Sequence, residues 1–430
     1  MAPRASRLLA PLLIGLLAAF VLARMTLLTQ AFTDYELEAE PAFGALRAGH
    51  VGGFLQALPA YGGSLILRAP FALLPGLWHG GGLAVFRAVA VPALVATVAF
   101  GVVLWSHLAG ERRWGGPAAW LALALVVFNP LSQSALETGH SEELLGAVLC
   151  AAAVVAALRD RPLAAGVLLG LAMANKPWAI LAVVPVVAAL RGGRLKALVV
   201  AGGVTAIVLA PMVLYGGAAG RAHSVATDSG TIFQPWQLWW FSGHHGEIVR
   251  GLYGVKAGYR ASPGWISSVG HPIVVLIPLA LSAVVLLVRG RACRRDALLL
   301  LALALLLRCL LDPWDASYYH LPFLLALTAH EAFARRRAPV AALLASAAAY
   351  LTIVGVQGHV SPDVSAAMYL AWSAPLALAL SVRLFAPAAF AQAVRPLLAG
   401  AARQLPSLAP LVSQPERSWE PVPGPSAVAR

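Results

Sequence analysis

Long, nearly uncharged stretches recur along the whole chain, and this recurrence limits the fold more than any motif does. A helix needs about 20 apolar residues to cross the hydrocarbon of a bilayer, with every backbone polar group bonded inside the helix. Stretches of that kind are expected at 8–30, 83–106, 115–130, 142–158, 163–175, 177–190, 195–215, 270–288, 296–311, 319–334, 338–356 and 365–386. The two shortest meet at Asn175-Lys176-Pro177. Because proline disfavours helix in the residue before it, they predict a broken hairpin with Lys176 at its tip. The segment 64–78 is also apolar but is interrupted by Arg68, Pro70 and Pro75, and reads as re-entrant or interfacial. With 60% hydrophobic and 11% charged residues, the composition excludes a soluble enzyme, a disordered chain and a disulfide scaffold. The expected fold class is an all-α polytopic membrane protein, a bundle of about twelve transmembrane helices.

The formal net charge of +13 does not point to nucleic acid, since no basic stripe with interleaved aromatics is present. The arginines instead cluster between apolar runs, the pattern of cytoplasmic loops. Arg4 and Arg7, Arg112 and Arg113, Arg159 and Arg161, Arg191 with Arg194 and Lys196, Arg289 to Arg295, and Arg335 to Arg337 all fall on one side. About two-thirds of the acids fall on the other, including Asp34, Glu142, Asp315 and Asp363. This places both termini in the cytoplasm and the chain in the cytoplasmic membrane. Two long outer loops, about 31–82 and 216–268, mix aromatics, glycines and amphipathic stretches. The membrane domain covers 1–386, and 387–430 becomes a Pro/Ser-rich cytoplasmic tail expected to be largely disordered. Cys150, Cys293 and Cys309 are placed for neither a disulfide nor a zinc site.

Four places gather titratable groups on the outer side, where intramembrane charge is costly and usually functional. Four carboxylates, Asp34, Glu36, Glu38 and Glu40, follow the first span, and Asp34 lies nearest the membrane exit as a candidate general base. Glu137 to Glu143 opens the span at 142–158; Ser141 is expected to cap that helix, while His140 beside Glu142 is not explained by capping. Lys176, beside Trp178, breaks the positive-inside pattern and suits a phosphate as a point charge. The fourth place runs from Arg308 to His320, with Asp315 and His320 as candidate binding residues and Arg308 as an expected partner for Asp312. Weaker are His244-His245 with Glu247 as metal ligands, the aromatic patch around Trp236 and Trp240, and His359 with Asp363.

These residues resemble a glycosyltransferase of the GT-C fold, and more closely the polyprenol-phosphate-mannose-dependent mannosyltransferases of glycosyltransferase family 87. The carriers are Asp34, the Gly139-His140 turn, Pro162-Leu163-Ala164-Ala165-Gly166 with Gly170-Leu171-Ala172 up to Lys176-Pro177, and Trp314-Asp315 with His320. Members often show two histidines after a Trp-Asp, where this chain has Ala-Ser-Tyr-Tyr and then His320. The resemblance implies a polyprenyl-phosphate sugar as donor and a glycolipid or glycan hydroxyl as acceptor. It also implies Asp34 as base; the residues themselves, apart from the resemblance, make His140, Glu142, Lys176, Asp315 and His320 the candidate substrate-binding set, and Glu142-Glu143 stands where the family carries other residues. No cofactor or metal is required, since the donor arrives through the membrane lipids. A transporter or flippase for an anionic substrate is the alternative, but it predicts ionisable groups near mid-membrane and on both sides.

Overall fold

The structure is a computed structural model that describes residues 2–28, 33–110, 112, 114–216, 233–244, 249–251, 254–256, 258–393 and 396. All twelve apolar stretches contain helix. In chain order the helices are α1 (Ala2–Leu28), α2 (Thr33–Glu38), α3 (Glu40–Arg47), α4 (Val51–Gln56), α5 (Gly62–Leu73), α6 (Gly82–Ala109), α7 (Pro117–Val127), α8 (Pro130–Glu137) and α9 (Ser141–Leu158). There follow α10 (Pro162–Asn175), α11 (Val183–Ala189), α12 (Arg194–Tyr215), α13 (Gly264–Arg289), α14 (Ala297–Leu311), α15 (Leu321–Ala329), α16 (Val340–Tyr350) and α17 (Pro362–Phe385). Among the described residues, six helical segments are long and apolar enough to cross a membrane, the longest of them, Ser268–Leu311, taking in most of α13 and all of α14. The protein is an all-α polytopic membrane protein. Its small exception is an antiparallel hairpin, β1 (Val249–Gly251) with β2 (Gly254–Lys256).

Sequence pattern explains the layering. A helix that is apolar all round belongs inside a bundle, and one with a lipid-facing side belongs at its edge. The spanning window of α9 is 94% buried and that of α12 only 11%, so α9 is a central strut and α12 a peripheral one. Helix α14 is buried along nearly its whole length beside α9, α13 and α15. Gly166 and Gly170 let α10 and α12 touch: a Cβ at either would lie 2.6 Å from a carbonyl oxygen, of Ala197 or Ala201. Helix α10 stops where expected, with Lys176 extended (φ −147, ψ 132) before Pro177, and a 3-10 turn then leads into α11.

Several of the basic loops, those at 159–161, 191–194, 289–296 and 335–337, meet at one end. Arg294 bridges to Asp160 (2.9 Å), which also faces Arg191 (3.6 Å), and Asp296 holds both Arg289 and Arg335. Helix α9 begins at Ser141 and ends at Leu158 beside this cluster, and its 18 residues span about 27 Å. Asp34, His140 and Lys176 therefore sit a membrane thickness away from the arginines. The first long connecting segment packs against the start of α6, with Tyr35, Phe43, Phe54, Leu65 and Phe86 buried together. Of the described residues of the second, Arg260 and Trp240 are held by Asp363, which accepts two bonds from Arg260 (3.0 Å each) and one from the Trp240 indole (2.8 Å). That gives Asp363 a structural partner set of its own. His245 and Glu247 lie outside the described residues.

Candidate active site: a chain of buried ion pairs

The site is organised by the turn between α8 and α9. Gly139 has φ +88, and a Cβ there would lie 2.5 Å from the Tyr35 Cβ, so only glycine lets the turn press against the start of the first outer loop. That contact sets Asp34 beside His140, with Oδ2 and Nε2 3.3 Å apart. The other ring nitrogen, Nδ1, lies 2.7 Å from Glu142 Oε1. Both nitrogens thus face carboxylates, which only donate-ready imidazolium satisfies on both sides. Burial opposes the charge on His140, but Glu142 and the bonds to Asp34 and Glu142 outweigh it and hold its pKa up at about 9.

Glu142 is the centre of the chain. Its carboxylate also meets Lys176 Nζ (3.3 Å) and Arg68 (3.1 Å), and Lys176 reaches on to Glu143 (3.5 Å). Glu143 in turn faces Arg308 (3.5 Å) and accepts from the Trp178 indole (3.1 Å). Asn175 ties the α10 end to this turn by donating to the Glu142 carbonyl (2.8 Å) while accepting from Ser64 (2.9 Å). Aromatic rings close the sides. Tyr61 lies under Lys176 Nζ (3.9 Å to the ring centre), and the Tyr318 ring sits 4.6 Å from that of His140. Three carboxylates, three fixed cations and an imidazolium leave one net positive charge. Asp34 is the open end, 26% exposed, whereas Glu142 has no exposed side-chain surface.

The structure thus brings together Asp34, His140, Glu142 and Lys176. It sets Asp315 and His320 apart as a second, fully buried pair 3.3 Å from each other. Neither residue of this pair, nor Glu142, has an exposed side-chain surface. Burial, and then the nearby Asp312, push the Asp315 carboxyl well above its ordinary range. Among the described residues, Cys309, Asp315 and His320 bring metal-ligating atoms together, all within 4.8 Å of one another. Hydrogen bonds already serve two of them: His320 Nε2 meets the Tyr369 hydroxyl (2.9 Å), and the Cys309 thiol donates to the Tyr319 carbonyl (3.2 Å).

Three expectations change. Ser141 does not cap α9; His140 holds that position, and the Ser141 hydroxyl accepts from Arg68 (2.8 Å). The ion pair formed by Arg308 is with Glu143 rather than Asp312, whose carboxylate accepts from the Trp314 backbone (3.0 Å). Arg68 is not a break in an apolar run but a site residue, 1% exposed on the inner face of α5. A signal for it was present: Ser64 and Arg68 lie one turn apart on a short apolar helix, and a charge there needs a buried partner. Glu36 and Glu40 stay exposed, and Glu38 is occupied as acceptor from the Tyr61 hydroxyl.

The described helices thus form an apolar bundle with a charged, aromatic-walled site at one end. The model of glycosyltransferase family 87 matches residues 63–313, more than half of the chain, and the protein belongs to that family. It is a membrane glycosyltransferase, which takes a sugar donor and an acceptor. No curated protein matches the chain. The matched span holds Arg68, His140, Glu142, Glu143, Lys176 and Arg308, while Asp34 precedes it and Asp315 and His320 follow it.

Proposed function

We propose that the protein moves a mannose-like hexose from a polyprenyl-phosphate donor to a hydroxyl of a glycolipid or glycan acceptor. By the positive-inside rule the arginine end is cytoplasmic, so the reaction takes place at the outer face of the cytoplasmic membrane. The observation that carries this reading is the unbroken chain from the half-open Asp34 through His140 and Glu142 to Lys176, with contacts of 3.3, 2.7 and 3.3 Å. It sets a base at the accessible end and cations behind it.

In the proposed step the acceptor oxygen attacks the anomeric carbon and its proton passes to Asp34. The bond from that carbon to the phosphate oxygen breaks, and polyprenyl phosphate leaves. The donor phosphodiester carries one negative charge, and the departing monoester carries two. Lys176 and the His140 imidazolium supply positive charge where that change develops. Glu142 acts through them, holding both in place. In this reading Asp315 and His320, which flank Tyr318 in the chain, help to hold the segment that carries it. No cofactor enters, since the donor carries its own leaving group.

The test is purified protein with polyprenyl-phosphate-mannose, with released polyprenyl phosphate as readout. Asp34→Asn should fold normally and lose at least about 100-fold in turnover, the low end for general-base removal. Wild-type turnover in that variant would take Asp34 out of the chemistry.

A further inference from the structure

No atom of the Asp315–His320 pair enters the proposed transfer, and the pair's buried chemistry is unbalanced. Cys309 lies on the last turn of α14, Asp315 in the connection that follows, and His320 at the end of the 3-10 turn before α15. All three are fully buried, with their ligating atoms within 4.8 Å of one another.

The imidazole is set for a ligand. Its Nδ1 faces the Ser317 carbonyl (3.3 Å), which only accepts, so Nδ1 carries the proton and Nε2 is the bare nitrogen. A ring fixed in this way by a backbone carbonyl is the usual arrangement of a metal-bound histidine. Nε2 accepts from the Tyr369 hydroxyl (2.9 Å) and has no proton to give Asp315 Oδ2, 3.3 Å away. The Asp315 carboxyl is the odd group. Neither of its oxygens completes a hydrogen bond, although the Ala316 N–H lies close, and the nearby Arg308 guanidinium is paired with Glu143. A buried carboxyl without donors is costly, and a bound ion is one of the few things that account for one.

The donor set selects the ion. Thiolate and imidazole favour zinc over the hard cations that all-oxygen sites take. A thiolate, a carboxylate and a neutral imidazole around a divalent cation sum to zero charge, the state a buried site tolerates best. We infer that Cys309, Asp315 and His320 bind a structural zinc ion that clamps the end of α14 to the start of α15, with the Tyr369 hydroxyl of α17 beside the fourth position. Zinc at about 2.0–2.3 Å from each donor sets tetrahedral neighbours about 3.3–3.8 Å apart, so the donors close by at most about 1.5 Å. The thiol proton, given to the Tyr319 carbonyl (3.2 Å) without the metal, leaves as the Zn–S bond forms, together with any proton on Asp315, and the Tyr369 hydroxyl turns away from Nε2.

The experiment uses the full chain, purified in detergent through a tag without histidines, stripped with a chelator and titrated with zinc or with cobalt. Wild type should retain about one zinc per chain by elemental analysis, and cobalt should give a thiolate-to-metal charge-transfer band with the visible bands of a four-coordinate ion. Cys309→Ser should abolish that band and weaken zinc binding by at least about 100-fold, the upper end for loss of a mere outer-shell partner. His320→Gln is the second ligand variant and should lose the metal likewise. Cys150→Ser/Cys293→Ser removes the other free thiols and should bind as wild type. Wild type without zinc after the titration, or a charge-transfer band that survives Cys309→Ser, would overturn the inference. Equal zinc in wild type and both ligand variants would mark an adventitious ion only and refute the site. Every readout is of the metal, so failure here leaves the glycosyl transfer standing, and failure of the transfer leaves the zinc standing.

Discussion

The proton on His140 gives the most direct test of the site, because its free-energy contribution depends on pH in a calculable way. The imidazole lies between Asp34 and Glu142, in the turn outside the spanning helices, and its pKa stands at about 9. In the unfolded chain a histidine titrates near 6.5. A folded pKa above the unfolded one stabilises the fold fully below pH about 6.5, and the contribution fades as pH rises through about 9. The gap of about 2.5 units corresponds to about 3 kcal/mol at 1.36 kcal/mol per unit. The measurement is thermal or denaturant unfolding in detergent from about pH 6 to about pH 10, for wild type and His140→Gln. Tyrosine and lysine titrations are shared by both proteins and cancel in the difference. The wild-type advantage should be largest near pH 6 and nearly vanish by pH 10. A difference that is flat across the range, or one that disappears around pH 6.5, would show that His140 carries no bound proton between the two carboxylates.

Other outcomes follow from the same contacts. Glu142→Gln leaves Arg68 and Lys176 buried without their common carboxylate, and the unfolding free energy should fall by about 3–5 kcal/mol, measured by denaturant titration. Lys176→Met should cost less stability, because Glu142 keeps Arg68 and His140. It should lower kcat/KM on the polyprenyl-phosphate donor by roughly 10- to 100-fold in the release assay. Gly170→Val forces α10 away from α12 and should cost about 1–3 kcal/mol or more. Gly203→Val on α12, where a Cβ meets nothing within 4 Å, should leave the unfolding midpoint almost unchanged.

The helical segments were legible because burying an apolar run as helix is a local decision: each segment satisfies its own backbone. The break at Lys176 was legible for the same reason, written in the proline after it. His140 and Glu142 stood out because titratable groups at the mouth of an apolar helix demand an explanation. What pairs with what was not legible. Arg68 meets Ser141, 73 positions away; a charge on a short apolar helix signals that a buried partner is needed, but nothing in the local pattern of α5 names that partner. Arg308 was read against Asp312 one turn on, the nearest acid in the chain, while the fold offered it Glu143 from the neighbouring helix. Local spacing ranks partners along one helix, but the contact between helices decides among them.

Glu142 contacts three cationic side chains drawn from α5, the α8–α9 turn and the end of α10. Replacing any one of them changes the setting of the other two, so losses measured one substitution at a time will not sum to the loss from removing the group. Only double-mutant cycles can apportion their shares. A loss at Arg68, His140 or Lys176 should accordingly be partly relieved when Glu142 is replaced in the same protein, because the buried carboxylate left short of partners is then gone as well.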